Sequence, residues 1–221
     1  MFKKRAFILT LAAVLLAAAF SLQAYAAAEM SGSNIQKLPM ASSDVQPCYN
    51  IGTEMLTSYY TAETCGTAIN LDSYFAAPML KTYTAEKVNT KRMLAEENKD
   101  HITQLSTNFT LSDYKVFDDH IYCQINARIE YRNDAIVGEN KISGYGEPVK
   151  MLFIKTNDGY KIADWYIDSP LSYDQINRGA AVSMDDPDIW LKDGAVDMID
   201  NCEKYQDEIE AWIQTPDVSA Y

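Results

Sequence analysis

The stretch VKMLFIKTNDGYKIADWYID, residues 149–168, decides the fold. Residues 149–155 form an apolar run that is typical of a buried strand, and Asn157-Asp158-Gly159 is a sequence that favours a two-residue hairpin turn. After the turn the chain alternates along a second strand, which places on one face Tyr160, Ile162, Asp164, Tyr166 and Asp168. Because the connection is so short, the two strands must be antiparallel.

The residues before this hairpin predict two more strands. Alternation over 109–117 indicates one of them, and Asp118-Asp119 forms the turn to the next. The strand at 120–131 has one apolar face, made of Ile121, Cys123, Ile125, Ala127, Ile129 and Tyr131, and one polar face. Residues 133–147 carry three glycines and are predicted to be a loop or loose hairpin.

Helices are predicted both before and after the sheet region in the sequence. Apolar spacing predicts helices over 49–64 and 70–83, with Pro78 placed to kink or divide the second, and a surface helix over 84–99 capped by Thr84. Acidic residues around Pro187 cap a C-terminal amphipathic helix of about 25 residues. Its apolar stripe is Val196, Ile199, Cys202, Tyr205, Ile209 and Trp212. We expect the stripe to pack on the domain, the alternative being that it docks a partner.

The N-terminus has the pattern of a secretory signal. Lys3, Lys4 and Arg5 precede an apolar run, and Ala24-Tyr25-Ala26 offers a cleavage site after residue 26. The alternative is an uncleaved anchor, because the apolar run is just long enough to span a bilayer. The polar, proline-containing residues 27–47 are predicted to be a flexible spacer. We therefore expect an extracytoplasmic protein, either secreted or tethered to the membrane by its N-terminal segment.

Charge excludes one class of partner. The 221 residues carry a net charge of −12, and loss of the three basic residues of the signal takes it to −15. Such a surface repels nucleic acid and anionic lipid. No phosphate-binding loop, nucleophile elbow or zinc motif occurs, so no cofactor, metal or catalytic set is predicted.

Four cysteines, Cys48, Cys65, Cys123 and Cys202, fall in the exported part, where disulfides persist. Three pairings are possible. On one continuous helix Cys48 and Cys65 would be about 25 Å apart, beyond disulfide reach. Structural disulfides and free buried thiols remain alternatives.

Helices followed by a curved antiparallel sheet resemble the nuclear transport factor two-like superfamily, in which helices close over a bent sheet to form a cone. The hairpin at 149–168 and NFTLSDYKVFDDHIYCQINARIEY at 108–131 carry this resemblance. They are similar to accessory domains of exported bacterial proteins. The resemblance implies an α+β fold with N-terminal helices packed on the sheet. We divide the chain into a signal (1–26), a spacer (27–47), a cone-like domain (48–170) and a C-terminal helical extension (171–221).

The resemblance also implies a pocket at the mouth of the cone, where enzymes of this fold hold an acidic or histidine base beside a hydrogen-bond donor. The residues that could face such a pocket are Tyr114, Arg128, Tyr131, Asp164, Tyr166 and Asp168. In the alternative reading the acids are exposed strand ends that pair with Arg128. His101 and His120 are predicted to be surface residues.

These observations support three hypotheses. The first is a non-catalytic exported domain that binds a small molecule or a protein partner at the cell envelope, through the cone mouth or the C-terminal helix. The second is a small-molecule lyase or isomerase with an Asp/Tyr pocket. The third is a structural module of an envelope assembly.

Overall fold

The computed structural model describes residues 35–67, 69–98, 101–134, 142–179 and 182–214. The predicted signal (1–26) and residues 27–34 of the predicted spacer lie outside the described residues, as does the C-terminal end from 215. The ordered elements are α1 (Val45–Cys65), α2 (Pro78–Glu97), β1 (Ile102–Val116), β2 (Ile121–Asn133), β3 (Ile142–Thr156), β4 (Gly159–Ile167), α3 (Tyr173–Arg178) and α4 (Gly194–Gln214). Short 3-10 helices at Ser42–Asp44 and Ile189–Leu191 complete the set.

The described strands form one antiparallel sheet in the order β1-β2-β3-β4. The sheet is curved and does not close into a barrel. Register shifts interrupt β1 between Leu111 and Asp113 and the β3–β4 pairing at Leu152/Phe153, and such bulges bend a strand and increase its twist. The predicted α+β fold, with helices on a curved antiparallel sheet, is confirmed.

Strand β2 has the two faces that its alternation predicts. Ile121, Cys123, Ile125, Ala127 and Ile129 are buried, whereas Asn126, Arg128 and Glu130 are exposed on the opposite face. Helix α1 covers the apolar face and approaches it closely at Gly52, where a Cβ atom would lie 3.0 Å from the Met151 side chain and 3.4 Å from that of Ile125. The main core therefore lies between α1 and the centre of the sheet.

The prediction for residues 70–99 was wrong in its division of the helices. Residues 70–77 form a turn and an extended segment, in which Phe75 bridges to Ile162 of β4. One helix, α2, then begins at Pro78. Proline suits the first helical turn because it has no N–H to lose there. Thr84 is accordingly no cap: it lies inside α2, fully buried, and its hydroxyl donates to the Leu80 carbonyl.

Of the two alternatives predicted for residues 133–147, a loop or a loose hairpin, the loop is wrong in its second half, where β2 and β3 pair as a hairpin. Strand β3 begins at Ile142, and Gly144 and Gly146 pair with Glu130 and Arg128 of β2. A Cβ atom at Gly144 would lie 2.8 Å from the Ile129 carbonyl oxygen. Glycine therefore permits a close approach of the two strands here, rather than interrupting the pairing. Residues 135–141 lie outside the described residues.

The segment 36–44, predicted as spacer, contacts the sheet. Leu38 bridges to Lys155 of β3, and the Met40 amide donates to the Asp118 carbonyl. Asp44 is buried and accepts hydrogen bonds from the Tyr160 hydroxyl (2.6 Å) and Lys155 (3.0 Å). This part of the predicted spacer is therefore fixed to the β3–β4 hairpin.

The C-terminal part packs on α2 and β4. Ile199, Cys202 and Ile209 of the α4 stripe are buried, as the core interpretation expects, whereas Trp212 is exposed. The Gln206 amide donates to Glu86 and Thr90 of α2. None of the described helices combines the length and the apolar character needed to cross a bilayer.

Candidate functional site

The structure separates the six predicted pocket residues. Tyr114 is half exposed on β1, Tyr131 packs edge-on against the Tyr145 ring, and Arg128 pairs with Glu130 at 2.8 Å on the outer face of β2. Asp168 pairs with Lys150 at 2.7 Å, apart from the other acid. Asp164 and Tyr166 both lie beside Arg178, but each of them is buried.

Asp164 is buried at the C-terminal side of β4 and is fully engaged. Its carboxylate accepts two hydrogen bonds from the Arg178 guanidinium, at 3.0 and 2.7 Å, and one from the Trp190 indole at 2.6 Å. The Tyr166 hydroxyl donates to the Gly179 carbonyl. Every one of these partners comes from the stretch predicted as an extension, so these two residues anchor that stretch and leave no group facing a ligand.

A second buried ion pair lies beside the first. Lys87 of α2 and Asp174 of α3 are both fully buried, with Nζ and Oδ2 2.5 Å apart. Asp174 also accepts from the Tyr83 hydroxyl and the Ile167 amide, and the Lys87 ammonium lies 3.5 Å from the Trp165 ring centroid. Burial lowers the pKa of Lys87, and Asp174 partly opposes that shift. The carboxylates of Asp164 and Asp174 are both fully hydrogen-bonded. We therefore assign a structural role to the Arg178–Asp164 and Lys87–Asp174 ion pairs.

A more accessible polar cluster lies between α1, α2 and β3, and we call it the helix–sheet cluster: Tyr60, Glu63, Lys91 and Glu147. The Tyr60 hydroxyl donates to Glu147 at 2.5 Å, and Lys91 lies 3.4 Å from Glu63. Burial raises the pKa of Glu147, and the hydrogen bond from Tyr60 partly offsets this. The attraction of Glu63 raises the pKa of Lys91. A carboxyl of raised pKa beside a tyrosine hydroxyl is an arrangement capable of acid–base chemistry.

A large open groove lies on the outer face of β1, β2 and β3, with a volume of about 1060 Å³. We call it the outer groove. Its lining combines the polar side chains of Asn108, Thr110, Gln124, Asn126, Arg128 and Glu130 with the apolar Ile142, Tyr145 and Pro148 and with the glycines Gly144 and Gly146. The glycines leave room above β3, and the side chains of Asn108, Thr110 and Asn126 have no hydrogen-bond partner within the part of the chain that the structure describes.

The charges of the outer groove largely cancel. Arg128 and Glu130 bond to each other across its floor, and their side chains are 73% and 50% exposed. The remaining floor side chains offer amide and hydroxyl groups, which both donate and accept hydrogen bonds. Such a surface suits an uncharged, hydrogen-bonding ligand better than a strongly charged one.

His120 was wrongly predicted to be a surface residue. It is 7% exposed, stacks on Phe117 with ring centroids 4.3 Å apart, and hydrogen-bonds Asp119 through Nδ1 at 2.7 Å. His101 is exposed, as expected. Across the described ranges, no three histidine, cysteine or acidic side chains gather in a way that could hold a metal ion. All four cysteines are free thiols in the structure, and Cys65 is exposed.

The sequence indicates the residues of the outer groove more clearly than those of the helix–sheet cluster. The polar alternation of β2 places Asn126, Arg128 and Glu130 on one face, although the sequence gives no reason to select that face as a site. Tyr60 and Glu147 are 87 positions apart, and no local pattern links them. They meet only because α1 lies against the strands.

Comparison with known proteins shows little similarity. No family model and no curated protein matches this chain. Among solved structures, a protein from Kribbella flavida, Kfla4162, aligns with 56% of this chain and 91% of its own, at 11% identity and a TM-score of 0.40. The intermembrane space region of the chloroplast protein ARC6 aligns over 53% of this chain and 94% of its own, at 11% identity and a TM-score of 0.30.

Proposed function

We propose that this protein is an exported, non-catalytic binding domain of the cell envelope that holds an uncharged polar ligand in the outer groove. The observation that carries the proposal is the set of unengaged amide and hydroxyl groups on the groove floor. Buried polar groups are normally paired within the protein, whereas unpaired groups lining a groove can bond a ligand. Export rests on the signal pattern of residues 1–26.

The ligand class follows from the chemistry of the floor. Neutral saccharides present many hydroxyl groups that donate and accept, as the side chains of Asn108, Thr110 and Asn126 do. A net negative protein with a self-neutralised Arg128–Glu130 pair has little to offer an anion. We therefore propose a neutral oligosaccharide as the ligand.

Binding of neutral oligosaccharides by the mature chain, measured by calorimetry, tests the proposal. The variant Asn108→Ala/Asn126→Ala removes two floor amides, and we expect at least a tenfold loss of affinity, since each lost hydrogen bond is worth about 1 kcal/mol. Asn50→Ala, on the exposed surface of α1, is the matched control. Unchanged binding in the double variant, or affinity that falls steeply with salt, would contradict a neutral ligand in the groove.

We further propose that the fold is a cone of the nuclear transport factor two-like type. The support is the order of elements, with α1 and α2 preceding an antiparallel sheet whose bulges bend it. An experimental structure tests this assignment. A sheet that proves flat, or strands in another order, would contradict it.

An enzyme is the second candidate, and one observation favours it. The lyase or isomerase hypothesis placed the acid and donor at Asp164, Tyr166 and Asp168, which are engaged elsewhere, but Glu147 and Tyr60 provide a carboxyl and a hydroxyl 2.5 Å apart. Carbonyl compounds screened for dehydration or double-bond migration would test this, with wild type compared to Glu147→Gln. Turnover that persists in the variant would contradict it.

A further inference from the structure

Two buried cysteines lie on facing elements of the main core. Cys48 is on α1, Cys123 is on β2, and both have no exposed surface. Gly52 indicates their relative position. Its Cβ position lies 3.0 Å from the side chains of Met151 and Phe153 on β3, which pair with Cys123 and Ile121, and 3.4 Å from that of Ile125. This contact places one turn of α1 over residues 121–125 of β2.

Both elements run in the same direction from this contact. Further along α1, Tyr60 reaches Glu147, which pairs with Ala127, two residues beyond Ile125. In the opposite direction, one helical turn of about 6 Å leads from Gly52 to Cys48. Two strand residues, about 6.6 Å, lead from Ile125 to Cys123 on the same face. Cys48 therefore lies over the N-terminal part of β2, the part that carries Cys123.

The absence of a side chain at Gly52 lets the helix lie unusually close to the strands, which favours the short Cα separation that a disulfide requires. The electrostatics agree with this proximity. Burial, and then the neighbouring Cys123 thiol, raise the pKa of Cys48. Burial raises the pKa of Cys123 to about 12.

The other two cysteines lie elsewhere. Cys65 is exposed at the far end of α1, which is continuous from Val45, so that about 25 Å of helix separates it from Cys48. Cys202 is buried on α4, where its thiol donates to the Met198 carbonyl. Of the bonds that Cys48 could form, the one to Cys65 is excluded by the length of α1, and the contacts of α1 with the sheet favour the one to Cys123.

We propose that Cys48 and Cys123 form a disulfide that fastens α1 to β2 when the chain folds in the presence of a disulfide donor. The Cys48 thiolate attacks the donor disulfide and releases one donor thiol; the Cys123 thiolate then attacks the Cys48 sulfur of the mixed disulfide and releases the second. The two protein thiols are oxidised, the donor is reduced by two electrons, and two protons pass to its thiols. Since burial suppresses both thiolates, exchange must precede the final packing of the core.

The test uses the wild-type mature chain, refolded in a buffer of oxidised and reduced glutathione and digested without reductant. We expect one cross-linked peptide pair containing Cys48 and Cys123, and an intact mass lower than that of the reduced protein by about 2 Da. Cys65 and Cys202 should both react with a thiol reagent in denaturant. Reaction of Cys48 and Cys123 with that reagent, or a link from either to another cysteine, would overturn the proposal.

Thermal unfolding supplies a second measurement. Reduction should lower the Tm of the wild type by roughly 5–15 °C, and should leave the Tm of a Cys48→Ala/Cys123→Ala variant unchanged. Cys202→Ala, which removes another buried thiol, should keep the full response to reduction. A wild-type Tm that does not respond to reduction would contradict the proposal, even if the variants fail to fold.

Discussion

At the scale of single residues, a large energetic effect is expected from the fully buried ion pair between Lys87 and Asp174. Removing one member leaves the other charged and desolvated, so Lys87→Met should lower the free energy of unfolding by about 3–5 kcal/mol. Asp174→Asn should also lower the free energy of unfolding. The loss in the double variant should be about 1–3 kcal/mol smaller than the sum of the two single losses. Urea denaturation of the four proteins measures this coupling.

Lys91→Met is the matched control for Lys87. Lys91 lies one turn further along α2 and pairs with Glu63, but its side chain is 44% exposed. A pair of this kind contributes about 0–1 kcal/mol. Equal losses of unfolding free energy in Lys87→Met and Lys91→Met would mean that burial does not determine how much the Lys87–Asp174 pair contributes to stability.

Glu147 should make stability depend on pH. Because burial raises its pKa in the folded state above the ordinary 4.5, the folded protein holds this proton to a higher pH than the unfolded chain does. The contribution of Glu147 to stability is therefore greatest below the unfolded pKa and falls as the pH rises through the folded pKa. Glu147→Gln keeps the side chain neutral, so its Tm relative to wild type should increase from pH 4 to pH 7.

Glu130→Gln is the control for this pH series, since Glu130 is half exposed and lies on the opposite face of the sheet. Its Tm difference from wild type should be flatter from pH 4 to pH 7 than that of Glu147→Gln, because an exposed carboxylate is hardly desolvated. A Glu147→Gln difference that is equally flat would contradict the proposed shift at Glu147.

At the scale of elements, the sequence patterns predicted those structural features that depend on residues close together in the chain. The two faces of β2 follow from alternation, and the turn before β4 follows from Asn157-Asp158-Gly159, where Gly159 adopts φ +102°. Pro78 was correctly seen as a division, but its position at the start of α2 depends on Phe75 bridging to β4. That tertiary contact has no signal in the local pattern.

The glycines of β3 show why a local rule failed there. A glycine-rich stretch usually indicates a loop, but Gly144 belongs to a strand because its partner strand comes too close for a side chain. Gly144→Ala should therefore destabilise the protein by about 1–3 kcal/mol, through a clash with the Ile129 carbonyl. Thermal or urea unfolding measures the loss.

Gly146→Ala provides the control on the same strand. The added Cβ would meet the Ala127 carbonyl oxygen at 3.5 Å, an ordinary contact distance. We expect its effect to stay within about 0.5 kcal/mol. A loss at Gly146 as large as that at Gly144 would mean that general strand propensity, and not close approach, requires glycine here.

At the scale of the whole molecule, distant parts of the chain meet in ways that no window of sequence reveals. Asp164 was selected as a pocket residue from its strand position, yet its partners Arg178 and Trp190 lie 14 and 26 residues further on. A buried carboxylate needs charged or polar partners, so burial of Asp164 requires the C-terminal stretch. Neither periodicity nor composition predicts which residues pair when they are this far apart in the sequence.

We therefore expect that a chain ending at residue 170 does not fold as an independent domain. A chain of residues 36–170 lacks Asp174, Arg178 and Trp190, and it would leave Lys87 and Asp164 as unpaired charges at buried sites. Each such charge costs several kcal/mol, against a total stability of about 5–15 kcal/mol. We expect this truncated chain to show no cooperative unfolding transition by circular dichroism, whereas residues 36–214 should unfold cooperatively.

An intermediate truncation separates electrostatics from packing. Residues 36–193 keep Asp174, Arg178 and Trp190 but lose α4, with its buried Ile199, Cys202 and Ile209. Because both ion pairs survive, this chain should retain a cooperative transition at a lower Tm than residues 36–214. If residues 36–170 unfold cooperatively at a Tm close to that of 36–214, the C-terminal stretch is dispensable for the fold, and its amphipathic helix would be free to serve a partner instead.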